Sequence, residues 1–111
     1  RDPLGTAILV GMGGVTAELF NDTNMRLISP GKALSAKEVL EMLQELKTWP
    51  LLNGYRGRPQ SDVNALVNAI VQFSTMVAVI GDRLQECEIN PIFVFPTGQG
   101  VKAADGIAVL N

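Results

Sequence analysis

The sequence contains no histidine and a single cysteine, Cys87. The first absence removes imidazole metal ligands, a histidine-based catalytic triad and a phosphohistidine from this chain. The second excludes an internal disulfide framework and any cysteine-built zinc site, and it fits a reducing compartment, so a cytoplasmic setting is expected. Charge is also scarce, at 18% of residues against the roughly 25% usual in soluble domains. Hydrophobic residues make up 47%, so a fragment or subunit that packs against something else is expected. The basic residues are scattered and the formal net charge is −2, which leaves no electrostatic footprint for a run of phosphates. Nucleic acid is therefore not an expected partner.

Arg1 is not followed by the apolar stretch of a secretory leader. Val63 to Gly81 lacks charge altogether, a length that invites a membrane-spanning reading. Asn64, Asn68, Gln72 and Thr75, however, recur at helical spacing and draw one wet stripe along a helix. Amides facing lipid are costly, so the expectation is a packed helix and no membrane.

With 111 residues the chain has room for one core and not two, a single domain over 1–111 or a piece of one. The opening third reads as three short strands, Thr6 to Val10, Val15 to Phe20 and Met25 to Ile28, separated by glycine-rich and Asn-Asp turns. Ser35 and Glu38 stand in capping-box spacing before a helix from Ala36 to about Thr48, with Val39, Leu40, Leu43 and Leu46 as its apolar stripe. "LLNGYRGRPQ" reads as a loop. Ser61 is the expected cap of a second helix that runs to about Ile80 and buries Val63, Leu66, Val67, Ile70, Ser74 and Val77. Strands are expected at Leu84 to Ile89, Ile92 to Phe95 and Val101 to Leu110, the last with a break at Gly106. This order predicts an α+β fold, two main helices packed on a largely antiparallel sheet.

The segment "LQECEINPIF" puts Glu86, Glu88 and Asn90 at every second position of an apolar run. Strand alternation sends them to one face and Cys87 and Ile89 to the other, into the core. "PTGQG" suggests a hairpin centred between Thr97 and Gly98, in which Phe95 faces Gly100, Phe93 faces Lys102 and Asn90 faces Asp105. Without a bulge, Glu88, Asn90 and Asp105 then converge as an oxygen-rich cluster. Such a cluster wants an arginine, a lysine or a hard metal, and magnesium suits carboxylate and carboxamide oxygens while keeping sites for phosphates. The alternative is an edge strand with its polar face in solvent, Pro91 breaking the ladder and Asp105 in a turn with Gly106.

Gly11, Gly13 and Gly14 lie between two expected strands, so they fail the context of a dinucleotide fingerprint. They make a tight turn or a cradle of amides for a phosphate. Arg26, Arg56 and Arg58 are candidate anion contacts or solvated surface charges.

In order, "GMGGVTAELFND", "RLISP", "WPLLNGYRGRP" before a long helix, "ECEINPIFV" and "VKAADGIAVL" resemble the carboxyl-terminal half of the ATP-grasp domain of nucleoside-diphosphate-forming acyl-CoA synthetases, relatives of the succinyl-CoA synthetase β chain. The resemblance implies binding of magnesium and ATP or ADP. It implies metal binding by Asn90 and Asp105, with Glu88 binding directly, through water, or orienting a phosphohistidine in a catalytic role. Gly13, Gly14, Arg26 and Arg56 are then the expected nucleotide phosphate contacts. It further implies reversible conversion of acyl-CoA, ADP and phosphate to acid, ATP and CoA. The missing histidine, the CoA thioester site and the amino-terminal half of the domain belong to other domains or subunits, so the isolated piece is expected to be inactive. "GMGGVTAELF" and "WPLLNGYRGRP" equally resemble the synthetase-like region of bacterial protein acetyltransferases, which implies, as the alternative, a module without turnover.

Overall fold

The computed structural model describes residues 6–11, 23–28, 32–57, 59–89, 92–104 and 106–110. Among the described residues there are six strands, β1 (Thr6–Gly11), β2 (Thr23–Ile28), β3 (Leu84–Ile89), β4 (Ile92–Val94), β5 (Val101–Ala103) and β6 (Gly106–Leu110), and three α-helices, α1 (Ala36–Gln44), α2 (Trp49–Leu52) and α3 (Val63–Ile80). Every described ladder is antiparallel: β1 with β2, β3 with β6 and β4 with β5. The α+β class and the two main helices are as the sequence predicts. β1 pairs directly with β2, from Thr6 opposite Ile28 to Gly11 opposite Thr23; the strand expected at Val15 to Phe20 lies outside the described residues.

α1 starts where the capping box places it. The Ser35 hydroxyl accepts the Glu38 N–H at 3.1 Å and the Glu38 carboxylate accepts the Ser35 N–H at 3.1 Å. The helix stops at Gln44, earlier than expected, and the chain turns into α2, where Pro50 stands in the first turn. Proline needs no N–H donor there, which is why it starts this helix rather than trailing the previous one.

The core gathers Ile8 from β1, Leu34, Val39, Met42, Leu43 and Leu46 around α1, and Leu66, Val67 and Val77 from α3. α3 is long and apolar enough for a membrane span by length and composition, yet it lays Leu66, Val67, Ser74 and Val77 against this core. Asn64, Asn68, Gln72 and Thr75 are all exposed on its other side, the stripe the spacing predicts. Val63 and Ile70 are only partly buried, packed against the core. Ser74 is the buried polar member: its hydroxyl accepts the Leu34 N–H at 3.0 Å and donates to the Val71 carbonyl at 2.8 Å. Asn24 of β2 donates to the Met42 carbonyl at 3.1 Å and to the Glu45 carboxylate at 2.8 Å, tying the first ladder to α1.

Candidate functional site

The two carboxyl-terminal ladders form one hairpin in a single register. Glu86 opposes Val109, Cys87 Ala108, Glu88 Ile107 and Ile89 Gly106, and beyond a short gap Ile92 opposes Ala103, Phe93 Lys102 and Val94 Val101. The partners' numbers add to one constant across these seven pairs. The pairing of Phe93 with Lys102 is as expected, and the Phe95 N–H donates to Gly100 O at 3.0 Å. Among the described pairs, the register shifts at the far end, between Leu84 and Glu86. Asn90, Pro91 and Asp105 themselves lie outside the described residues.

One expectation fails. Cys87 packs against the core, but Ile89 is 41% exposed. Its cross-strand partner is Gly106, which brings no side chain to cover it. Beyond the gap Ile92 and Val94 pack against the core while Phe93 is 50% exposed. Core-facing parity therefore passes from odd to even between Cys87 and Ile92, and one flat ribbon with unbroken alternation does not describe this strand.

The hairpin tip is fixed from outside. Gln99 N–H donates to Pro96 O at 2.9 Å, closing a turn centred on Thr97 and Gly98 as predicted. Gly98 and Gly100 have φ of 87° and 81°, a region that disfavours residues with a Cβ. Their amides point at Asp62: Oδ2 accepts the N–H of Gly98 at 3.0 Å and of Gly100 at 2.8 Å. Oδ1 accepts the Ala65 N–H at 3.2 Å, so Asp62, and not Ser61, caps α3. Its own N–H donates to Phe95 O at 2.7 Å. Gln60 O accepts from both Thr97 N–H, at 3.0 Å, and Thr97 Oγ1, at 3.1 Å. The Gly100 and Ala65 amides hold the Asp62 carboxyl below the ordinary carboxylate range; desolvation opposes them and Gly98 adds to them.

Among the other candidates, Glu88 sits in β3 opposite Ile107 and Arg26 in β2 opposite Ile8. Arg56 is exposed, in the left-handed region at φ 53° and ψ 49°. Tyr55 holds it: the phenol oxygen accepts from Nε at 3.0 Å and the ring centroid lies 5.2 Å from Cζ. That uses one of the five guanidinium donors. Gly13, Gly14 and Arg58 lie outside the described residues. Among the described residues no group of three histidine, cysteine, aspartate or glutamate side chains forms a metal site.

A family model described as an ATP-grasp domain matches residues 1–110. The chain belongs to the ATP-grasp domain family. This ATP-grasp chain is 33% identical over 112 residues to the β subunit of acetate–CoA ligase (ADP-forming) II of Pyrococcus furiosus, covering 100% of the chain and 46% of that subunit. It is 40% identical over 107 residues to a trans-feruloyl-CoA synthase of an unknown prokaryotic organism, covering 96% of the chain and 14% of the synthase. A crystal structure of a Pyrococcus horikoshii protein superposes with a TM-score of 0.88 at 31% identity, over 99% of this chain and 45% of that one. The dinucleotide-forming acetyl-coenzyme A synthetase 1 of Ca. Korarchaeum cryptofilum gives a TM-score of 0.84 at 32% identity, over 100% of this chain and 49% of that one. That structure holds coenzyme A and Mg-AMPPCP, with a phosphohistidine segment pointing towards the nucleotide binding site. The chain thus spans about half the length of such subunits.

In this ATP-grasp chain the donor set at 88, 90 and 105 is carboxylate, carboxamide and carboxylate, the hard oxygen chemistry that magnesium takes. The described ladders on either side of residues 90 and 105 keep one register. The donor set therefore fits the metal. Asp62 is the residue that sequence reasoning missed. Ser61 and Asp62 are both good cap types, and what selects Asp62 is a turn far away in sequence.

Proposed function

We propose that this chain is the metal- and phosphate-binding part, the carboxyl-terminal half, of the ATP-grasp domain of a nucleoside-diphosphate-forming acyl-CoA synthetase. The full protein would interconvert acyl-CoA, ADP and phosphate with acid, ATP and CoA through a phosphohistidine supplied by another domain or subunit. The observation that carries this reading is the constant register on both sides of residues 90 and 105, in a chain whose relatives are ADP-forming ligases. Asn90 and Asp105, with Glu88, are the residues that would hold magnesium, which when bound offsets phosphate charge and orients the phosphates. Arg56 presents an exposed guanidinium suited to a phosphate oxygen; Arg26, Gly13 and Gly14 are the further phosphate contacts of this reading. The amino-terminal half of the domain and a CoA-binding domain complete the site, and the lone cysteine fits a cytoplasmic setting.

The relatives named above are ligases and synthases, which favours the enzyme part over a turnover-free module beside an acetyltransferase. The test is an assay of the full-length protein for acyl-CoA-dependent ATP formation from ADP and phosphate. ATP that appears only with magnesium and thioester supports the reading; no ATP from any of a panel of acyl-CoA thioesters overturns it.

A further inference from the structure

The loop that carries Arg56 is tied down at both ends. At its start, Asn53 N–H donates to Trp49 O at 3.0 Å, and the Gln60 amide reaches back to Asn53 Oδ1 at 3.3 Å. At its end, Ser61 N–H donates to Leu52 O at 2.9 Å, and the next residue is Asp62. The loop's middle adopts a backbone conformation that a residue with a Cβ rarely takes, at Arg56. A shape of that kind persists only when the surroundings impose it.

We propose that Asp62 is a positioning residue for phosphate binding: its carboxylate locks the end of the Arg56 loop to the hairpin whose strands lead to residues 88, 90 and 105. The inference rests on the reading of Arg56 as a phosphate contact and of those three residues as the metal site. A carboxylate has two acceptor oxygens and uses both here, one on the helix start and one on two turn amides. Bonds to an ionised acceptor are roughly twice as strong as neutral ones. A carboxamide at the same place has one acceptor and must abandon either the cap or the turn. Without the hold on the turn, the loop's end keeps the bonds from Asp62 N–H to Phe95 O and from Thr97 to Gln60 O but loses the charge-assisted ones, and the loop that carries Arg56 is held less firmly to the hairpin.

The test uses the full-length protein in the ATP-forming assay, with Asp62→Asn, Asp62→Ser, Arg56→Ala and the double variant Arg56→Ala with Asp62→Asn. Asp62→Ser keeps a capping oxygen, so a role in capping alone leaves its KM at the wild-type value. The expected result is a KM for ADP raised roughly tenfold in both Asp62 variants with kcat within about twofold. In the Arg56→Ala background, Asp62→Asn should then add less than about twofold, because its effect runs through the arginine. Additive penalties, a wild-type KM in either Asp62 variant, or a loss of kcat that tracks the melting temperature would each overturn the proposal. Asp105→Asn in the same assay separates the two readings. If it turns over at the wild-type rate, the metal-site reading fails and this inference with it; if it is slow while Asp62→Asn keeps its KM, only the positioning role fails.

Discussion

Asp62 Oδ2 accepts the backbone N–H of Gly100 at 2.8 Å, joining residues 38 apart in sequence. Because the bonded form is the carboxylate, the folded pKa lies below the ordinary value, and linkage fixes the sign. The stabilisation is complete above the unfolded value of about 3.9 and disappears as pH falls through the lower folded value. The stability gap between wild type and Asp62→Asn should therefore be largest near neutrality and shrink in acid. Urea titrations at several pH values would measure it; a gap constant from neutral pH down to the acid transition contradicts the assignment.

Ser74 gives a second prediction. Its hydroxyl is the acceptor for the buried Leu34 N–H, so Ser74→Ala orphans that donor and should cost about 1–3 kcal/mol. Equilibrium unfolding by urea would show it as a lower midpoint with an unchanged slope.

The core predicts a contrast between two apolar side chains. Met42 is fully buried on α1, whereas Val79 on α3 is 80% exposed. Met42→Ala should lose about 2–5 kcal/mol, and Val79→Ala should stay within about 0.5 kcal/mol of wild type. The same unfolding measurement decides both.

Much of this architecture was legible in the sequence because it rests on local rules. The capping box at Ser35 and Glu38, the exposed amide stripe on α3 and the turn at Thr97 and Gly98 follow from spacing alone. The hairpin register follows from that turn, and it extends into β3 and β6. What was not legible depends on distant partners. Asp62 prevails over Ser61 as the cap because glycine amides more than thirty residues later need its second oxygen. Ile89 has the pattern of a core residue, yet it stands opposite a glycine. The switch of core-facing parity between Cys87 and Ile92 is likewise invisible to an alternation rule. Of the candidate site residues, Glu88, Arg26 and Arg56 fall among the described residues.

Arg56 should reveal a trade between stability and binding. Its left-handed backbone costs about 1–2 kcal/mol relative to glycine, and the extra freedom of an unfolded glycine returns part of that. Arg56→Gly should thus gain about 0.5 kcal/mol in stability while ADP binding to the full-length protein weakens roughly tenfold. Thermal unfolding and calorimetric titration with ADP check the two halves separately. A destabilised variant with intact ADP affinity would mean that the arginine serves the loop rather than the ligand.

The central claim is the proposal that Asp105, with Asn90, helps to hold magnesium against the phosphates. Its most direct test is the turnover of Asp105→Asn in the full-length protein, measured beside its melting temperature over a range of magnesium concentrations. The account predicts turnover reduced roughly 10²-fold, a magnesium requirement shifted to higher concentration, and a melting temperature close to wild type. Wild-type turnover with an unaltered magnesium dependence would contradict it.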